Sequence, residues 1–135
     1  MWCLLDSNVL STFLWGKNHN VRQKGLGYLA QYKQFTFSVL TRFEVARGLT
    51  YAGLVAKSNQ FEAECRKHQV LPVDEAVIGV ASGLWSDLKK AGQLIPDVDI
   101  LIAATALCHG LPVATRNVRH FSRFPGLLVE DWFQP

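Results

Sequence analysis

At 135 residues, 49% of them hydrophobic and 19% charged, the chain has the length and apolar content of one folded domain, which excludes a disordered chain. Fourteen Lys and Arg against eleven Asp and Glu leave a net charge of +3, too small to name a polyanionic partner by itself. Three cysteines with no Cys-x-x-Cys pair argue against a disulfide framework and a thiolate zinc site, and charges such as Asp6, Lys17 and Arg22 break every apolar run short of the roughly 20 residues of a membrane span.

Trp2 to Leu5 reads as a buried strand, and Asp6-Ser7-Asn8 as the start of a helix through Leu14. The polar stretch Gly16 to Lys24 reads as a loop. Gln34 to Ser38 is a second strand, rich in aromatic and β-branched residues, after which Ser38 or Thr41 caps a helix carrying Phe43, Val45, Ala46, Leu49 and Ala52. Ser58 to Lys67 looks helical. Val70 to Val73 is a third strand whose proline places it near an end or an edge. Ala76, Val77, Val80, Ala81, Leu84, Trp85 and Leu88 give Asp74 to Ala91 the buried stripe of a helix. Pro96-Asp97 opens a further helix, Val98 to Cys108, ended by His109-Gly110. Leu111 to Thr115 is a fourth strand, and Gly126 to Glu130 a fifth at the edge.

No repeat or linker divides these elements, so residues 1–135 are read as a single domain. Strands alternating with helices predict an α/β fold: a central parallel sheet of four to five strands covered on both faces. Met1 to Leu14 lacks the basic leader of a signal peptide and carries Asp6 within its apolar stretch, so a cytoplasmic location is expected.

Ligand sites of open parallel sheets lie beyond the carboxyl ends of the strands. That rule selects Asp6 after the first strand, Asp97 and Asp99 at the helix before the fourth, Arg116-Asn117 after the fourth, and Glu44 one or two turns into the helix after the second. Taken singly, Asp6 and Asp97 also suit N-caps, Asp99 suits the positive end of a helix, and Glu44 suits a surface pair with Arg47. Taken together, converging carboxylates repel one another unless a cation or protons neutralise them. A hard divalent ion, Mg²⁺ or Mn²⁺, prefers such oxygen ligands and supports phosphodiester hydrolysis.

Competing chemistries lack their residues. His19, His68 and His120 form no metal pattern, no Gly-x-Ser-x-Gly elbow exposes a serine, and Gly25 and Gly27 belong to neither a dinucleotide nor a phosphate-binding loop. An aspartyl-phosphate enzyme needs a second Asp two residues after the first, where this chain has Asn8.

LLDSNVLS, SVLTRFEVARGL and PDVDILIAATALCHGLPVATRNVRHFSRFPGLLVEDW, in that order and over nearly the whole chain, resemble the sequence blocks of the PIN-domain nucleases, and specifically the VapC-type toxins of bacterial toxin–antitoxin pairs. The resemblance implies a PIN-like three-layer α/β/α domain and a Mg²⁺- or Mn²⁺-dependent endoribonuclease. Its site would be Asp6, Glu44 and Asp99, with Asp97 an added metal-side carboxylate. The family's fourth position, often Asp, is matched to Asn117, whose uncharged amide favours one strongly bound ion. Thr115, Arg116, Arg119 and Arg123 are expected to contact RNA, while Phe121, Phe124 and Trp132 suit either base stacking or closure of the core. The resemblance further implies a VapB-type antitoxin as partner and a homodimer, with no membrane association. The competing expectation is a noncatalytic PIN-like nucleic-acid-binding or assembly module.

Overall fold

In the computed structural model, which describes residues 2–135, the elements follow in the order β1 (Leu4–Leu5), α1 (Ser7–Trp15), α2 (His19–Tyr32), β2 (Thr36–Ser38), α3 (Val39–Tyr51), α4 (Val55–Cys65), β3 (Gln69–Leu71), α5 (Glu75–Lys90), α6 (Asp97–His109), β4 (Val113–Ala114), α7 (Val118–Phe121) and β5 (Val129–Glu130). The strands form a parallel sheet ordered β3-β2-β1-β4-β5, with Leu4 opposite both Thr36 and Val113. The chain steps from β1 towards β3 in one direction and from β4 to β5 in the other. The order therefore reverses between β1 and β4, where a crevice opens at the strands' carboxyl ends.

Alternation along a strand sends successive side chains to opposite faces, and β1 shows it in two residues. Leu4 packs with Val77, Ile100, Ile102, Val113 and Phe121 beneath α5 and α6. Leu5 packs with Val9, Val21, Phe35, Phe37 and Phe61 beneath α1 to α4. Two apolar layers against one sheet give the expected α/β/α arrangement. Phe121, Phe124 and Trp132 are 0%, 3% and 5% exposed, so they close the core and offer no stacking surface.

The structure departs from the sequence reading most clearly at α2, a helix where Gly16 to Lys24 was expected to be a loop. Asn18 caps it, accepting from Val21 N–H at 3.0 Å, and Val21 and Tyr28 are buried. Gly25 permits the packing: a Cβ there would clash with the Phe13 ring of α1. The one-turn α7 was likewise not expected, and α4 begins at Val55, earlier than Ser58. Ser38 caps α3, accepting from Leu40 N–H at 3.0 Å, while Thr41 donates to the Leu5 carbonyl at 3.2 Å. Pro96, not Asp97, holds the N-cap position of α6, and no side-chain cap bond forms there.

Candidate active site

Asp6 follows directly from β1, and its backbone N–H donates to the Ala114 carbonyl of β4 at 2.9 Å. Its side chain is held at both oxygens. Oδ1 accepts from Ser7 N–H at 2.8 Å, which makes Asp6 the cap of α1 as well. Oδ2 accepts from the Thr115 hydroxyl at 2.8 Å. That hydroxyl accepts in turn from Asn117 N–H at 2.9 Å, so one buried oxygen ties the ends of β1 and β4 to the loop entering α7. Thr115 is 0% exposed. Its expected place among the RNA contacts is corrected: it is a buried brace for Asp6.

Glu44 reaches the same crevice from α3 and Asp99 from the first turn of α6, with side chains 20% and 13% exposed. Asp6, Ser7, Asn8, Glu44, Arg47, Pro96, Asp97, Val98, Asp99, Asn117 and His120 line one groove of about 460 Å³. Asp97 is exposed at its rim. Asn117 Nδ2 lies 3.4 Å from Asp99 Oδ2 and 2.7 Å from His120 Nδ1, which is itself 3.0 Å from Asp99 Oδ2. One ring nitrogen cannot accept from the amide and donate to the carboxylate at once, so the imidazole tautomer selects between these contacts.

Burial pushes the Asp6 carboxyl above the usual carboxylate range, opposed by its Thr115 and Ser7 donors and reinforced by the charge of Asp99. Burial raises Glu44 as well, with the charges of Asp6 and Asp99 adding to it, while the Ser7 side chain as a donor and, to a smaller extent, the charge of Arg47 oppose. Arg47 Nη2 is 3.6 Å from Glu44 Oε2, whereas Glu44 Oε1 is buried with no hydrogen-bond partner among the described residues. An orphaned carboxylate oxygen in a groove lined by four carboxylates suits a hard cation. Among the described residues no three His, Cys, Asp or Glu side chains stand close enough to cage an ion by themselves. Mg²⁺ does not require such a cage, because it keeps several waters and is commonly held by one or two carboxylates with substrate phosphate.

The structure thus brings together Asp6, Glu44, Asp97, Asp99 and Asn117. It does not bring Arg116, Arg119 or Arg123 into the groove lining. The Arg116 guanidinium lies 4.7 Å from the Phe133 ring centroid, and Arg123 donates to the Gln93 carbonyl at 3.0 Å. Sequence reasoning missed His120 and gave Arg47 only a pairing role. The available signal for His120 was its i,i+3 spacing from Asn117, which puts both on one side of a helical turn.

A parallel sheet whose acidic groove opens at the switch point places the chain among the α/β domains that keep their ligand site beyond the carboxyl ends of the strands. The model of the PIN domain matches residues 3–127, and the chain belongs to that family. Ribonuclease VapC1 of Methanocaldococcus jannaschii is 33% identical over 96 residues, covering 70% of this chain and 68% of the relative. The tRNA(fMet)-specific endonuclease VapC of Salmonella typhimurium is 26% identical over 131 residues, 96% of each chain. Among solved structures, VapBC-1 from nontypeable Haemophilus influenzae superposes with a TM-score of 0.82 at 23% identity, covering 99% of this chain and 100% of that one, which shows the shared fold.

Proposed function

We propose that the chain is a divalent-ion-dependent endoribonuclease acting as the toxin of a type II toxin–antitoxin pair. The observation that carries this reading is the convergence of Asp6, Glu44 and Asp99 from three separate elements on one groove, with Glu44 Oε1 buried and unpartnered. The ribonuclease and endonuclease names of similar proteins support it. Mg²⁺ or Mn²⁺ held directly by one or two of the carboxylates Asp6, Glu44 and Asp99, and through water by the others with Asp97 beside them, would lower the pKa of a water and stabilise charge at the scissile phosphate.

The chain's own residues supply the rest. Thr115 fixes the Asp6 carboxylate, and the Asn117 amide, 3.4 Å from Asp99, is placed to orient a water or phosphate oxygen. Arg47 at the groove lining offers a guanidinium to the RNA backbone. A VapB-type antitoxin and a homodimer complete the reading. The simplest inhibitory contact is an Arg or Lys side chain inserted between Asp6 and Asp99 in place of the ion. No helix among the described residues is long and apolar enough to cross a membrane.

The test is cleavage of RNA by purified protein with Mg²⁺ or Mn²⁺, with and without EDTA. Activity should disappear in EDTA and in Asp6→Asn and Asp99→Asn, each of which removes charge with little change in volume. Full activity in either variant or in EDTA refutes the metal-site assignment. A folded wild-type chain that binds RNA but never cleaves it is the noncatalytic module instead.

A further inference from the structure

We propose that the outer face of α3 carrying Phe43, Arg47 and Tyr51 docks the single-stranded part of the RNA substrate beside the acidic groove, an inference that rests on the ribonuclease reading above. These residues are spaced by four, which places them on one face of the helix. Eight residues at about 1.5 Å per residue separate the two rings by about 12 Å along the axis. Phe43 is 53% exposed and Tyr51 is 96% exposed, an unusual display of aromatic surface beside a polar site. The Arg47 guanidinium sits 5.1 Å from the Phe43 ring centroid. Arg47 also lines two depressions: the acidic groove, and a shallow apolar one that it shares with Phe43, Gly48 and Tyr51. Gly48 adds no side chain between the rings, and nothing stands within 4 Å of where its Cβ would be.

The groove creates the need for such a strip. Asp6, Glu44, Asp97 and Asp99 repel a phosphate backbone, the chain's net charge is only +3, and the arginines near the C-terminus do not line the groove. The substrate therefore requires an anchor just outside the carboxylates. Exposed rings flanking a guanidinium meet that requirement, because every base has a π-face to stack on an aromatic side chain while the cation meets a phosphate. Glu44 lies on the same helix, next to Phe43 and one turn from Arg47. A strand lying along 43, 47 and 51 is thereby delivered to the carboxylates without a further element.

The experiment measures fluorescence anisotropy of a labelled oligouridylate on full-length protein carrying Asp6→Asn, which prevents cleavage, with and without second substitutions. Phe43→Ala and Tyr51→Ala should each weaken binding roughly five- to a hundredfold, and Tyr51→Phe should restore it. Arg47→Ala should lower the dependence of log Kd on log salt by about one unit. In the otherwise wild-type chain, Tyr51→Ala should raise KM for RNA and spare kcat. Unchanged affinity in both ring-to-Ala variants overturns the proposal. So does a result in which they dissociate a dimer by light scattering yet leave RNA affinity intact, because the strip is then an interface between copies. A chain that binds through these rings but cleaves no RNA removes the nuclease reading and leaves this one standing; a chain that cleaves RNA and ignores the ring substitutions does the reverse.

Discussion

Replacing Thr115 by Val keeps the shape of a fully buried side chain and deletes only its hydroxyl. That hydroxyl makes two bonds, a 2.8 Å donation to Asp6 Oδ2 and a 2.9 Å acceptance from Asn117 N–H. A hydrogen bond to a charged group is worth about 1.5–3 kcal/mol, and stranding a buried polar group costs about 1–3 kcal/mol. Asp6 is only 4% exposed, so water replaces the lost donor poorly. The expected loss is about 2–4 kcal/mol at pH 7, read as a fall in Tm on the order of 10 °C. The sign with pH is fixed by Asp6, whose carboxyl is raised by burial and restrained by Thr115. A raised acid binds its proton more readily folded than unfolded, so its ionisation costs stability from the ordinary aspartate pKa upwards. Removing Thr115's donor raises it further. The deficit of Thr115→Val relative to wild type should therefore be greatest at neutral pH and shrink as the pH falls through the range where Asp6 is protonated. Thermal unfolding at several pH values measures this, and RNA cleavage should drop roughly 10- to 100-fold, as when outer support of a metal site is lost. A loss below about 0.5 kcal/mol, or a deficit that does not change with pH, would refute the brace.

Asn117→Ala should lower cleavage by roughly 10- to 100-fold, whereas Asn117→Asp should tighten divalent-ion binding by calorimetry; intact cleavage in the first and unchanged ion affinity in the second would make Asn117 a turn residue outside the site. His68 accepts from Phe35 N–H at 3.0 Å through Nδ1, and burial holds its imidazole below the usual histidine range despite Glu64. The unfolded chain then binds the extra proton first, so stability should decline as pH falls below about 6.5, and the slope should flatten in His68→Asn, as followed by denaturant unfolding. Gly25→Ala should destabilise by about 1–3 kcal/mol through its clash with Phe13. By contrast, Gly27→Ala, at an exposed helical position with nothing within 4 Å, should stabilise by up to about 1 kcal/mol, and paired unfolding curves separate the two.

The acids were legible because strand ends and helix starts are local signals: Leu4-Leu5 before Asp6, and Pro96 before Asp97 and Asp99, fix where the carboxylates emerge. The parallel sheet followed from the same alternation. The helix α2 was hidden because Gly25 and Gly27 weaken its propensity, and the reason for Gly25 lies in Phe13, on another helix. His120 was hidden for a similar cause. Its role depends on a one-turn helix fixed by burial of Phe121 against the sheet, which no periodicity over so few residues announces. Thr115 looked like a polar residue beside arginines, and only the register of β4 against β1 turns its hydroxyl inward to Asp6.

The bond between Thr115 and Asp6 spans 109 positions of the sequence, which gives the site a place in time as well as in space. During synthesis from the N-terminus, Asp6 emerges early and has no brace until the last part of the chain has appeared. Until then β1 lacks its neighbour β4, Asn117 and His120 do not exist, and the carboxylates of Asp6 and Glu44 face a half-built wall. The pairing of β1 with β4 is also the kind of long-range contact that is slow to form, since it closes the longest loop of any strand pairing in the sheet. A nascent or truncated chain ending before β4 is thus chemically incomplete however well its first half has collapsed. The groove is complete only once β4 and the residues after it are in place.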